Sequence, residues 1–215
     1  MHHRTVAAAA GLLALAAPLA VAAPATAAPV SPAALSARLI SAWQKGNRTA
    51  ALKVATPAAV RSLFSAPWRT PDRFDGCVEN GVQRVCRFDY TSVDPVGGLD
   101  AVVTVVRGRK VVKVYVPRLF SAPGPAARHL FAAWRARDRL RALEVASPEA
   151  VKRLFWIRHD HRITYRWRGC SRGKSGWTCG YSSKGGTIRM HLRGRPASGY
   201  EGRDVALDLV AKAPK

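Results

Sequence analysis

Leu39 to Phe64 reads LISAWQKGNRTAALKVATPAAVRSLF and Leu130 to Phe155 reads LFAAWRARDRLRALEVASPEAVKRLF; aligned without a gap at an offset of 91, the two are identical at 13 of 26 positions. Others exchange like for like: Asn47 with Asp138, Thr56 with Ser147, Arg61 with Lys152. A chain that uses one such stretch twice is expected to build one scaffold twice, in tandem. The doubling constrains architecture and leaves activity open.

Punctuation inside the stretch predicts short helices. Ser31-Pro32 is a capping serine followed by proline at the first helical position, and Leu35, Leu39, Ile40 and Trp43 recur at helical spacing. Gly46-Asn47 closes that helix and caps a second one carrying Ala51, Leu52 and Val54. Thr56-Pro57 opens a third, with Val60, Leu63 and Phe64 inward. Asp138 and Ser147-Pro148 repeat the last two devices in the second copy.

Beyond each helical part the period becomes two. Cys86, Phe88 and Tyr90 alternate with Arg87 and Asp89. Val102 to Val106 and Val111 to Val116 flank the turn Arg107-Gly108-Arg109-Lys110 as a hairpin. In the second copy Trp177, Cys179 and Tyr181 alternate, then Ile188, Met190 and Leu192, then Val205, Leu207 and Leu209. The expected fold class is therefore α+β: two tandem units, each of helices followed by an antiparallel sheet of three or four strands, one face covered by the helices. Units are expected at 31–117 and 127–212, with a Pro/Gly linker at 118–126 around Pro123-Gly124-Pro125.

Eight residues separate Cys77 from Cys86, and eight separate Cys170 from Cys179. Four cysteines allow three pairings; the matched spacing favours Cys77–Cys86 and Cys170–Cys179, one disulfide per unit. Zinc is set aside, because its paired cysteines stand two to four residues apart. Disulfides belong to an oxidising compartment, and the N-terminus agrees with one. Residues 1–27 read as a secretory signal peptide: a basic-capable start at His2, His3 and Arg4, an apolar run from Val6 to Ala23, and small residues at Ala25-Thr26-Ala27. No cysteine near that site could carry a lipid, and no later stretch is apolar enough to span a membrane. A secreted, extracellular protein is expected.

The chain has 35 basic and 13 acidic residues, and losing Arg4 with the signal leaves 34 against 13, or +21. Such a field attracts an acidic polymer or an acidic protein at the cell surface. The stretch from Trp156 to Tyr181 concentrates it. Arg158, Arg162, Arg166, Arg168, Arg172 and Lys174 interleave there with Trp156, Tyr165, Trp167, Trp177 and Tyr181, a pattern polyanion binders use. The competing reading is a half-buried strand, with Ile163, Tyr165 and Trp167 on the core face and the arginines on the other.

Ala42-Trp43, Gly46-Asn47-Arg48, Ala51, Val54-Ala55, Pro57, Ala59-Val60 and Leu63-Phe64 form a phrase that resembles a module of small exported actinobacterial proteins. Those proteins pair a signal peptide and this helical phrase with a two-cysteine hairpin; the resemblance implies no activity. The second copy matches it through Ala133-Trp134, Asp138-Arg139, Pro148 and Leu154-Phe155. More distantly, Trp134 and Asp138 ahead of a short helix and strands look like the nuclear-transport-factor-2-like fold. That likeness implies a cone of helices on a curved sheet, in a family of isomerases, dehydratases and non-catalytic members.

No phosphate-cradling loop, metalloprotease helix or nucleophile elbow occurs, and no cofactor is expected. Asp138 is read as a helix cap, since Asn47 replaces it in the other copy. His159 and His161 are candidate metal ligands: on a strand they would point to one side about 7 Å apart. Only His129, His191 or a distant carboxylate could supply a third ligand. The expected function is non-catalytic, binding an acidic partner or polyanion through a basic surface. The alternatives are a small-molecule-binding or enzymatic cone and a structural spacer of the cell envelope.

Overall fold

The computed structural model describes residues 30–66, 71–92, 98–195 and 199–208, and from residue 195 onward the description is of the backbone. The expected signal peptide, the Leu209 position and the side chains of Val205 and Leu207 lie outside it.

The first unit runs α1 (Pro32–Gln44), α2 (Arg48–Val54), α3 (Pro57–Phe64), β1 (Arg73–Asn80), β2 (Gln83–Asp89), β3 (Ala101–Arg107) and β4 (Lys110–Tyr115). The second runs α4 (Pro123–Arg135), α5 (Arg139–Leu143), α6 (Pro148–Trp156), β5 (Arg166–Gly173), β6 (Gly176–Ser183), β7 (Gly186–Arg195) and β8 (Gly199–Asp208). Each unit is thus α+β, its four strands forming an antiparallel meander in chain order. The helices start at 32, 48 and 57, then at 123, 139 and 148, each pair 91 residues apart. α4 opens at Pro123, inside the segment expected to be linker. The proline is preorganised for a first helical turn rather than a break, so the connection shortens to residues 116–122.

Capping fixes these starts. Ala34 N donates to Ser31 Oγ (3.2 Å), Ala50 N to Asn47 Oδ1 (2.9 Å) and Ala59 N to Thr56 Oγ1 (3.3 Å). Arg141 N donates to Asp138 Oδ1 (3.1 Å) and Ala150 N to Ser147 Oγ (3.3 Å). Among the described helices only α4 lacks a side-chain cap: Ala122 stands 91 positions after Ser31 and brings no oxygen.

Each helical layer buries its apolar stripe on one sheet. Leu39, Trp43 and Leu63 pack with Cys86, Phe88 and Val102 in one core; Leu130, Trp134 and Leu154 pack with Cys179, Ile188 and Met190 in the other. Of Ala51, Leu52 and Val54 in α2, Leu52 is 44% exposed, because a helix of two turns turns only Ala51 and Val54 to the core. Phe64 and Phe155 sit half-buried under Arg48 and Arg139, whose guanidinium carbons lie 4.9 and 5.6 Å from the ring centroids. The disulfides are Cys77–Cys86 and Cys170–Cys179, each joining directly opposed residues of a hairpin.

The expectation that one sheet face is covered holds for the second unit and fails for the first. On the face of β2, β3 and β4 turned away from α1, Ala101, Val103, Val105 and Tyr115 are buried, packed with Leu140 and Leu143 of the α5 region. β3 is accordingly a nearly unbroken apolar run, as expected of a strand covered on both faces. Gly98 N donates to Leu143 O at 3.1 Å, and a Cβ on Gly98 would come within 2.6 Å of Ala146 O and 2.9 Å of Leu143 Cδ2. Only glycine lets the units approach this closely.

Candidate functional site

Two places gather polar chemistry. The first is the joint between the units. Glu144, 2% exposed, accepts from Val116 N (3.1 Å) and Arg118 Nε (3.0 Å), and its Oε2 lies 2.7 Å from His129 Nε2. Arg118 also donates to Ser62 Oγ (2.7 Å). Tyr115 donates its hydroxyl to Asp138 Oδ2 (2.9 Å), the cap of α5. Burial, aided by the charge of Asp138, pushes the Tyr115 hydroxyl well above its usual pKa, so it remains a donor. These residues border a depression of about 430 Å³, but they satisfy one another. The arrangement joins helix, strand and linker; sequence reasoning missed Tyr115, Arg118 and Glu144, and considered His129 only as a metal ligand, because separations of 15 to 28 residues leave no local signal.

The second place is the start of β5. Because β5 runs antiparallel to β6, Arg166 pairs with Ser182 and lies beside the β6–β7 turn. Arg162, Arg166, Arg168, Ser182 and Lys184 line an open groove of about 750 Å³ whose lining contains no carboxylate. Arg168 occupies a bulge between Trp167 and Gly169 and donates from Nε to Ser182 Oγ (2.5 Å). Among the described residues, no carboxylate ion-pairs with Arg162, Arg166, Arg168 or Lys184.

The six basic residues singled out in the sequence do not share one surface. Arg162, Arg166 and Arg168 come together, and Lys184 joins them from the β6–β7 turn. Arg172 and Lys174 lie at the other end of β5, roughly 20 Å along the strand. Arg158 stands apart, exposed beyond α6. The alternation reading holds for Tyr165 and Trp167, which pack on the core while Arg166 and Arg168 point out, and fails for Ile163, which is exposed and borders the groove instead. Trp156, by contrast, is 88% exposed.

His159 and His161 occupy the irregular segment between α6 and β5, not a strand. His159 packs edge-on against Trp134, with centroids 4.9 Å apart. Burial, with the charges of Arg135 and Arg137, depresses its pKa. The two arginines border the same depression as both histidines. Among the described residues, no three His, Cys, Asp or Glu side chains converge as a metal site.

Fold and groove together define a tandem α+β protein with a basic face on its second sheet. Comparison with protein-family models, with curated proteins and with solved structures finds no match to this chain. No helix among the described residues is long and apolar enough to cross a membrane.

Proposed function

We propose that this is a non-catalytic exported protein that binds an acidic partner or polyanion through the groove at the start of β5. The observation that carries this reading is the convergence of Arg162, Arg166, Arg168 and Lys184 on one groove lined by no carboxylate. Cations held together at a surface repel one another, and an anionic ligand relieves that repulsion. Export is supported by the signal-like residues 1–27 and by two disulfides that an oxidising compartment would keep.

The test is retention of the full chain on immobilised heparin across a salt gradient. Binding through these cations falls steeply as salt rises, with a slope set by the number of anionic groups engaged. The double variant Arg162→Glu/Lys184→Glu is expected to elute at clearly lower salt. Absence of retention at low salt, or retention indifferent to salt, contradicts the proposal.

A further inference from the structure

The two sheets match position by position around their disulfides. Cys77 pairs with Cys86 and Cys170 with Cys179, so Arg73 matches Arg166, the bulge residue Asp75 matches Arg168, and Asp89 matches Ser182. One strand further, Ala101 pairs with Asp89 and Thr187 with Ser182, so Asp100 matches Gly186.

In the first unit these positions form a closed ion network. Arg73 Nη2 donates to Asp89 Oδ2 (2.7 Å) and Arg87 Nε to Asp89 Oδ1 (2.6 Å), one arginine on each carboxylate oxygen. Arg87 also meets Asp100 and lies 3.9 Å from Asp75. In the second unit all three aspartates are replaced, by Arg168, Ser182 and Gly186, while Arg166 is kept. Gly180 takes the place of Arg87 and clears a large side chain from the middle of the site; a Cβ there would meet nothing nearer than 3.8 Å. Ser182 Oγ accepts from Arg168, leaving its own hydrogen to donate outward. In strand register the nearest carboxylate across the sheet is Asp208, paired with Thr187 two strands from β6.

We propose that Arg166, Arg168 and Ser182 form a subsite for a carboxylate of an acidic peptide segment, which sits where Asp89 sits in the first unit. The proposal rests on the groove reading above and adds the ligand class. A carboxylate is favoured because the first unit holds one at the matched position. A peptide is favoured because β5 is the edge of its sheet, and an extended segment can lie along an edge strand while its side chains enter the groove.

The experiment restores the missing group. Ser182→Asp places an internal carboxylate beside Arg166 and Arg168, while Ser171→Asp makes the same charge change roughly 10 Å beyond Arg168 and roughly 16 Å beyond Arg166 along β5. Binding of labelled poly-L-aspartate to the oxidised full chain is followed by fluorescence anisotropy. Ser182→Asp is expected to weaken binding at least tenfold with Tm undiminished, and Ser171→Asp less than threefold. Equal losses from both overturn the subsite while leaving the groove reading standing; no loss from either overturns both. Tighter binding of polyphosphate or polygalacturonate than of poly-L-aspartate at equal charge overturns the ligand class. Should Ser182→Asp lose its near-UV signal, Arg166→Gln/Arg168→Gln against Arg172→Gln/Lys174→Gln carries the same contrast: a tenfold loss supports the subsite, and equal losses overturn it.

Discussion

Ser36 Oγ lies 2.8 Å from Thr104 Oγ1, both side chains fully buried between α1 and β3. The helix offset of 91 takes Ser36 to Ala127, and the strand register takes Thr104, which pairs with Cys86, to Met190, which pairs with Cys179. The second core has therefore replaced both partners of a buried polar pair together, Ala127 and Met190 being fully buried. A hydroxyl left alone in such a place costs about 1–3 kcal/mol, whereas removing both partners costs little.

Thr104→Val is expected to destabilise by about 2 kcal/mol, because it strands the Ser36 hydroxyl. Ser36→Ala costs less, since Thr104 keeps Cys86 O at 3.4 Å. The double variant should fall short of the summed losses by about 1 kcal/mol in urea titrations. Strict additivity would mean that the pair is not coupled.

Ala122 has the extended backbone of a capping residue, φ −144° and ψ 149°, and no side-chain oxygen to use it. Ala122→Ser should stabilise the chain by about 1 kcal/mol. An unchanged or lower Tm would count against this cap.

Gly98 is a point of close backbone approach between the two units. Gly98→Ala must push Ala146 or Leu143 aside, and a loss of about 1–3 kcal/mol is expected from overpacking. The loss should be accompanied by faster hydrogen exchange on β3, whose outer face depends on that contact. Unchanged exchange there would show that the joint yields without cost.

Asp72 binds the start of the segment after β2, accepting from Thr91 N at 2.8 Å and Ser92 N at 3.0 Å, and from both hydroxyls. The bonds from the Ser92 side chain and Thr91 backbone lead in lowering its pKa from 3.8 to about 2. A carboxylate depressed in the folded state contributes stability that is complete above its unfolded pKa and lost as pH falls through the folded one. Part of the acid sensitivity between pH of about 4 and about 2 therefore belongs to Asp72. Asp72→Asn should flatten the Tm profile in that window and leave its shape near neutrality unchanged; an equal slope in both proteins would remove Asp72 from the account.

How much of this could be read from the chain follows the range of each interaction. Ser31, Asn47, Thr56, Asp138 and Ser147 act within three residues, so their caps were legible. The disulfides were legible because each closes a hairpin. Asp89 alternates with the apolar residues of its strand and is nevertheless 6% exposed; its burial raises its pKa, but Arg73 and Arg87 outweigh that and hold it lowered. Only a strand partner and a neighbour two positions along could reveal that. Lys184 escaped notice because it follows the Arg-rich stretch, and the β6–β7 turn alone brings it to Arg166. One signal was present and unused: β3 reads apolar at successive positions while Arg189 and His191 interrupt β7, which distinguishes a sheet covered twice from one covered once.

The covering of Ala101, Val103 and Val105 by residues that follow them in the chain has a temporal consequence. During synthesis the first unit emerges before Leu140 and Leu143 exist, and at about 5–20 residues per second the delay lasts several seconds. A β-sheet completed in that interval would present bare valines to its surroundings. The second unit, whose sheet faces water with Arg189 and Thr187, meets no such interval. The order of the halves is therefore not interchangeable: a circularly permuted chain that makes the second half first would have Leu140 and Leu143 waiting when the valines appear.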